Sequence, residues 1–202
     1  MSTRSFVSSF AAVALALCLR PAVAQQAQPY GIDLKNTPIH DLAGPGVRVV
    51  VLYFAATDCP ISNRYVPEIA RLAQEFAAQP SGASPVRFWW VYPNAEDTAP
   101  LVEQHRREFS IAAGAILDRR QSLAALAHAT VTPEAAVFLV DGRELREVYH
   151  GRVDDRYISL GQERPQPQHH DLEEAIAAAL AGKPVPQPGG PPVGCSIVSL
   201  PK

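Results

Sequence analysis

Three cysteines and one methionine in 202 residues leave little soft-ligand chemistry to distribute. The chain has no zinc-ligand spacing, no glycine-rich phosphate loop and no serine-nucleophile motif, so the usual zinc, nucleotide and serine-hydrolase readings are excluded. An excess of basic charge is also lacking, since 18 Lys and Arg stand against 20 Asp and Glu. Without a basic face, nucleic acid and anionic membrane are not expected partners. The one long apolar run, residues 10–19, is too short to span a bilayer.

That run follows Arg4 and precedes the small-residue site Ala22-Val23-Ala24, so residues 1–24 read as a secretory signal. Cys18 lies inside it, behind Leu17 rather than the small residue that lipid attachment favours, and is expected to leave with the signal. The mature chain, about 178 residues with a net charge of about −4, makes one domain and is expected in the periplasm or secreted. Residues 25–45, broken by Pro29, Pro38, Gly44 and Pro45, read as a lead-in, residues 46–182 as the domain and residues 183–202 as a tail. The tail is rich in Pro and Gly, a composition that argues for disorder. It nevertheless carries Cys195, in Val193-Gly194-Cys195-Ser196-Ile197. Cys59 and Cys195 are thus the only mature thiols, in a compartment where disulfides persist.

Regular structure is expected from Val47. Val49-Val50-Val51-Leu52-Tyr53-Phe54 is apolar without alternation, as in a central strand buried on both faces. Ile61, Tyr65, Ile69, Leu72 and Phe76 then fall on one helical face. A second strand over residues 86–92 places Trp89 and Trp90 on opposite sheet faces. Asp97 is expected to cap a helix reaching Phe109, a short strand at Ala115-Ile116-Leu117 to lead into Asp118, and residues 122–129 to form a short helix. Two β runs joined by Asp141-Gly142 give the chain's strongest hairpin signal, and Asp171 is expected to cap a last helix through Leu180. The order β-α-β-α-β-α-β-β-α predicts an α/β fold with a mixed central sheet flanked by helices.

Cys59 falls where the first strand hands over to a helix, with Pro60 at the first helical position. Unpaired N–H groups and the positive dipole end there stabilise a thiolate, the reactive form of cysteine. The neighbouring Asp58 is expected to oppose that by charge, with Arg64 available to offset it. His105 and His128 read as packing or surface residues, and Asp154-Asp155 as a solvated turn.

From these residues, residues 47–180 resemble the thioredoxin superfamily, in its exported redoxin branch of alkyl hydroperoxide reductase/thiol-specific antioxidant proteins and cytochrome-maturation thioredoxins. Cys59-Pro60-Ile61-Ser62 is similar to the Cys-x-x-Cys redox motif with Ser62 in the second cysteine's place, and Pro67 stands where those proteins kink the active-site helix. Val131-Thr132-Pro133 resembles their cis-proline loop, which lies against the reactive sulfur. Two positions depart from the pattern: Tyr53 replaces the buried acid of thioredoxins, and Ala56 the peroxide-orienting threonine of peroxiredoxins.

The resemblance implies a thioredoxin-like fold and an exported thiol-disulfide oxidoreductase with Cys59 as nucleophile. Ser62, Thr132 and Pro133 would lie along the substrate, with Thr132 backbone pairing to an extended strand. Protein thiols or disulfides, including a redox partner protein, would be the partners, and no cofactor or metal is required. Ser62 cannot resolve a mixed disulfide, so release falls to a partner thiol or to Cys195. Closing a loop of about 136 residues between Cys59 and Cys195 would stabilise the fold by roughly 5 kcal/mol. Two alternatives remain open. One is Cu(I) binding by Cys59, Cys195 and His169 or His170, although Asn63 stands where copper chaperones of this fold keep their second cysteine. The other is a thiol peroxidase using Cys59.

Overall fold

The computed structural model describes residues 28–77, 84–142 and 144–200, so the signal expected over residues 1–24 lies outside the described residues. In chain order the elements are β1 (Gly31–Ile32), β2 (Pro38–Ile39), β3 (Val49–Phe54), α1 (Pro60–Arg64), α2 (Val66–Ala77), β4 (Val86–Tyr92), α3 (Ala99–Glu108) and β5 (Gly114–Leu117). They continue with α4 (Ser122–Leu126), β6 (Val131–Thr132), β7 (Glu134–Asp141), β8 (Glu144–Gly151), β9 (Tyr157–Ser159), β10 (Gln162–Glu163), α5 (Asp171–Leu180) and β11 (Cys195–Ser196).

Seven strands form one mixed sheet in the order β2-β1-β5-β4-β3-β7-β8. β3 lies between parallel β4 and antiparallel β7, and all six of its residues are fully buried, which explains its unbroken apolar sequence. Side chains alternate between two cores. Val49, Val51 and Tyr53 face Ile69 and Leu72 of α2, Val102 of α3 and Ile176 of α5, whereas Val50, Leu52 and Phe54 face Leu123 of α4 and Leu42. The adjacent tryptophans divide as expected, Trp90 into the first core and Trp89 against the second. Asp141-Gly142 joins β7 to β8 with Gly142 at φ +61°, the left-handed conformation that glycine adopts without strain. Among the described residues no helix is long and apolar enough to cross a membrane.

Several local expectations are corrected. Regular structure begins before Val47: Asp33 Oδ1 accepts from Lys35 and Thr37 N–H at 2.8 Å, closing a turn that lets β1 and β2 extend the sheet beside β5. The helical face from Ile61 to Phe76 is two helices, broken at Tyr65, because Pro67 has no N–H to continue the ladder. Thr98, not Asp97, precedes α3, and Asp97 is buried at the Cys59 loop instead. At α5 the cap position is His170, while Asp171 turns its carboxylate to Arg152 and to Gly189 N–H.

Asp154 and Asp155 are not a solvated turn, since both are nearly inaccessible. Asp154 accepts from the Tyr65 hydroxyl and Arg156 N–H, and Asp155 from the N–H groups of Gln168 and His169. Donors that the fold brings to them hold carboxylates that a pattern of adjacent acids cannot distinguish from surface ones, although Asp154 Oδ2 has no partner among the described residues.

The inaccessible ring of Phe138 on β7 packs in the second core. Phe138→Ala should lower stability by about 3–5 kcal/mol, through lost burial and a cavity. Leu126→Ala, at a position 39% exposed on α4, should change it by no more than about 0.5 kcal/mol. Urea unfolding midpoints of the two variants check the contrast.

Candidate active site

Cys59 ends the loop after β3 and is the cap residue of α1, with φ −84° and ψ 108°. Its sulfur lies 3.5 Å from Ser62 N–H and 3.0 Å from the Thr132 carbonyl oxygen, to which the thiol donates. Thr132 is the residue before Pro133, and the bond between them is cis, as the resemblance implies. Glu134 holds this loop from behind, its Oε2 accepting from Thr130 N–H at 2.9 Å and Val131 N–H at 3.3 Å.

The second thiol arrives from the far end of the chain. β11 pairs antiparallel with β6, placing Cys195 opposite Thr132 and Ser196 opposite Val131. Cys59 and Cys195 are both free thiols, the first buried and the second exposed, and each bears on the other's titration. A tail that composition marks as disordered is therefore ordered by a strand pairing at this loop.

The two thiols titrate apart. Burial pushes the Cys59 thiol up, but the neighbouring Cys195 thiol, the Ser62 hydroxyl and N–H, and the Thr132 hydroxyl together outweigh it and leave the group below its ordinary value. Cys195 is pushed up to about 11 by burial, by the neighbouring Cys59 and by the charge of Asp58. Of the two, Cys59 is thus the first to give up its proton. The charge of Asp58 bears on Cys195 and on Asp97.

The remaining wall is polar and mostly hidden from sequence reasoning. Tyr53, in the position where thioredoxins carry an acid, is buried under α1 and donates to the Ser62 carbonyl at 3.0 Å. Its ring meets Trp90 edge-on at 4.6 Å. Ser62 Oγ is buried and forms no well-aligned hydrogen bond among the described residues, and Ala56 carries no hydroxyl.

A chain of side chains locks the Cys59 loop to its neighbours. Asn63 Nδ2 donates to the Thr57 carbonyl at 3.2 Å, and Asn63 Oδ1 lies 2.7 Å from His105 Nε2. His105 Nδ1 lies 3.0 Å from the Tyr92 hydroxyl. Burial lowers the His105 pKa, and the neutral ring that fits has Nε2–H donating to Asn63 and Nδ1 accepting from Tyr92. On the other side Asp97 Oδ1 accepts from Thr57 N–H at 2.9 Å and from its hydroxyl at 2.6 Å. His105 therefore packs as expected but also positions the loop. Asp97, Asn63 and Tyr92 were missed for that role, because partners 40, 42 and 13 residues apart leave no local pattern.

His169 and His170 lie at the start of α5, and the described residues gather no group of three metal ligands around Cys59 and Cys195. The three that do converge are Glu68, His170 and Glu173, and Arg71 already forms ion pairs with both glutamates. The copper reading thus lacks a histidine at the sulfurs.

No family model matches the sequence, and no curated protein does. Solved structures do. An uncharacterized conserved protein from Geobacillus kaustophilus matches with a TM-score of 0.69 and 24% identity, over 87% of this chain and 90% of that one. A hypothetical protein from Sinorhizobium meliloti matches with 0.66 and 24%, over 85% and 90%. An uncharacterized thioredoxin-like protein from Porphyromonas gingivalis matches with 0.51 and 18%, over 78% and 91%. With parallel β3, β4 and β5 continued by the antiparallel β7–β8 hairpin, and helices on both faces, the protein has a thioredoxin-like fold.

Proposed function

We propose that the protein is an exported thiol-disulfide oxidoreductase in which Cys59 is the nucleophile and Cys195 the resolving thiol. The observation that carries this reading is the pairing of Cys195 with Thr132, the residue whose carbonyl also meets Cys59 Sγ at 3.0 Å. Export rests on the signal-like residues 1–24.

The Cys59 thiolate attacks one sulfur of a substrate disulfide, forming a mixed disulfide and releasing the other sulfur as a thiolate, which takes a proton. Cys195, once deprotonated, attacks Cys59 Sγ. A Cys59–Cys195 disulfide forms and the second substrate thiolate leaves. Two electrons pass from the cysteine pair to the substrate, and the reverse sequence oxidises a dithiol. Ser62 has no part in resolution, because its hydroxyl is neither acidic enough nor able to bond sulfur. It contributes the backbone N–H that faces the thiolate.

Cys59→Ser should abolish reduction of a model disulfide, whereas Cys195→Ser should keep the first attack and accumulate the mixed disulfide, at least tenfold over the parent by mass spectrometry. Undiminished turnover in Cys59→Ser overturns the reading.

The pH dependence follows from the two neighbouring thiols. Cys59 is held below the ordinary thiol value, so its thiolate persists to lower pH than that of a free cysteine. Cys195→Ala removes a neighbour that favours the charged form, and should move the Cys59 titration midpoint upward, read by ultraviolet thiolate absorbance. An unmoved or lower midpoint contradicts the reading that Cys195 favours the Cys59 thiolate.

A further inference from the structure

The residues after Gly194 form a strap that is seated rather than merely close. Cys195 and Ser196 pair with Thr132 and Val131, and Ile197 N–H donates to the Thr130 carbonyl at 2.9 Å. Val198 is held at both ends, its N–H donating to Asn94 Oδ1 at 3.0 Å and its carbonyl accepting from Gln121 Nε2 at 2.6 Å. The Ile197 side chain packs against the second core. Farther back, Gly189 N–H donates to Asp171 Oδ1 at 3.0 Å, so the strap can leave its seat while its root stays fixed.

Gly194 shows how selective the seat is. A Cβ at this position would lie 2.1 Å from the Thr132 oxygen and 2.9 Å from the Pro133 nitrogen. Both are backbone atoms of the loop that meets Cys59, and they cannot swing aside as a long side chain can. The seat therefore takes an extended segment only if glycine precedes the cysteine. Two residues beyond the cysteine it offers apolar contact, filled here by Ile197. With the strap in place Cys59 has no solvent exposure, so a substrate sulfur from outside reaches it only where the strap has moved.

From the seating and the glycine fit we propose that residues 194–198 are a resident substrate strand, and that the partner is a polypeptide presenting an extended Gly-Cys-x-aliphatic segment that replaces the strap on β6. This rests on the thiol-exchange reading of the site and adds the substrate class to it. The strap, being tethered, competes at an effective concentration in the millimolar range. A free segment of the same sequence binds well only when the strap is weakened, whereas a partner protein adds contacts of its own.

The test uses a fluorescent peptide with the sequence of residues 191–199, with serine in place of the cysteine so that no thiol chemistry takes part. It is titrated against the full chain, against Gly194→Val, which the clash with Thr132 unseats, and against Ile197→Ser, which loses the apolar anchor. At least tenfold tighter binding to either unseated chain than to the parent is expected, as is no binding of a second peptide with valine in place of the glycine. Equal binding across the three chains, absence of binding included, overturns the proposal. So does a valine peptide that binds as well as the glycine peptide. Since the measurement involves no disulfide, it is independent of whether Cys59 turns over: an inactive chain that still selects the glycine peptide refutes the redox reading alone.

Discussion

One residue of backbone sets the chemistry. The Thr132 carbonyl accepts from Cys59 Sγ, and the Thr132 main chain is the pairing partner of Cys195. Thr132 is itself inaccessible, and Glu134 ties down the N–H groups of the two residues before it. A main-chain position held this firmly is a better reference point than a side chain, because it has no rotamers to lose. Both sulfurs are located from it, although they lie at opposite ends of the folded domain's sequence.

That arrangement separates the two thiols electrostatically as well as in sequence. In a Cys-x-x-Cys motif both sulfurs share one helix terminus. Here Cys59 has the helix-start N–H of Ser62 to itself, while Cys195 sits on a strand with the Asp58 charge acting on it. Cys59 therefore gives up its proton first. The strap contributes this asymmetry, and a mobile tail thiol would not.

Legibility followed distance in sequence. The β3–Cys59–α1 succession and the Asp141-Gly142 hairpin were readable because strand period, a proline at the first helical position and turn chemistry are local. The Thr132-Pro133 loop was legible through resemblance. Asp97 was misread as a helix cap for a physical reason: an aspartate ahead of a helix is equally able to accept from any nearby N–H, and here it accepts from that of Thr57 on another loop. Asp154 and Asp155 show the same limit, since a carboxylate's burial depends on donors that the fold delivers later. The order in the tail was illegible because proline and glycine counts describe what a segment does alone. Pairing to β6 is supplied from outside it.

The substitutions that distance the site from thioredoxin are mutually consistent once the second thiol is on the strap. With Cys195 as the neighbouring thiol, the position three after Cys59 needs only a small residue whose N–H faces the sulfur, and Ser62 fills it. The buried acid that thioredoxins carry behind the helix is absent here. Tyr53 then takes the space, bracing the Ser62 carbonyl with a hydroxyl that burial keeps neutral. An aspartate in that place would add a desolvated charge with no cation facing it, at a cost of several kcal/mol unless it stayed protonated. The moved cysteine and the missing acid are in this sense one change, with Gly194 as its third part. Only a residue without Cβ lets the strap lie close enough to the Thr132 carbonyl for β11 to pair with β6.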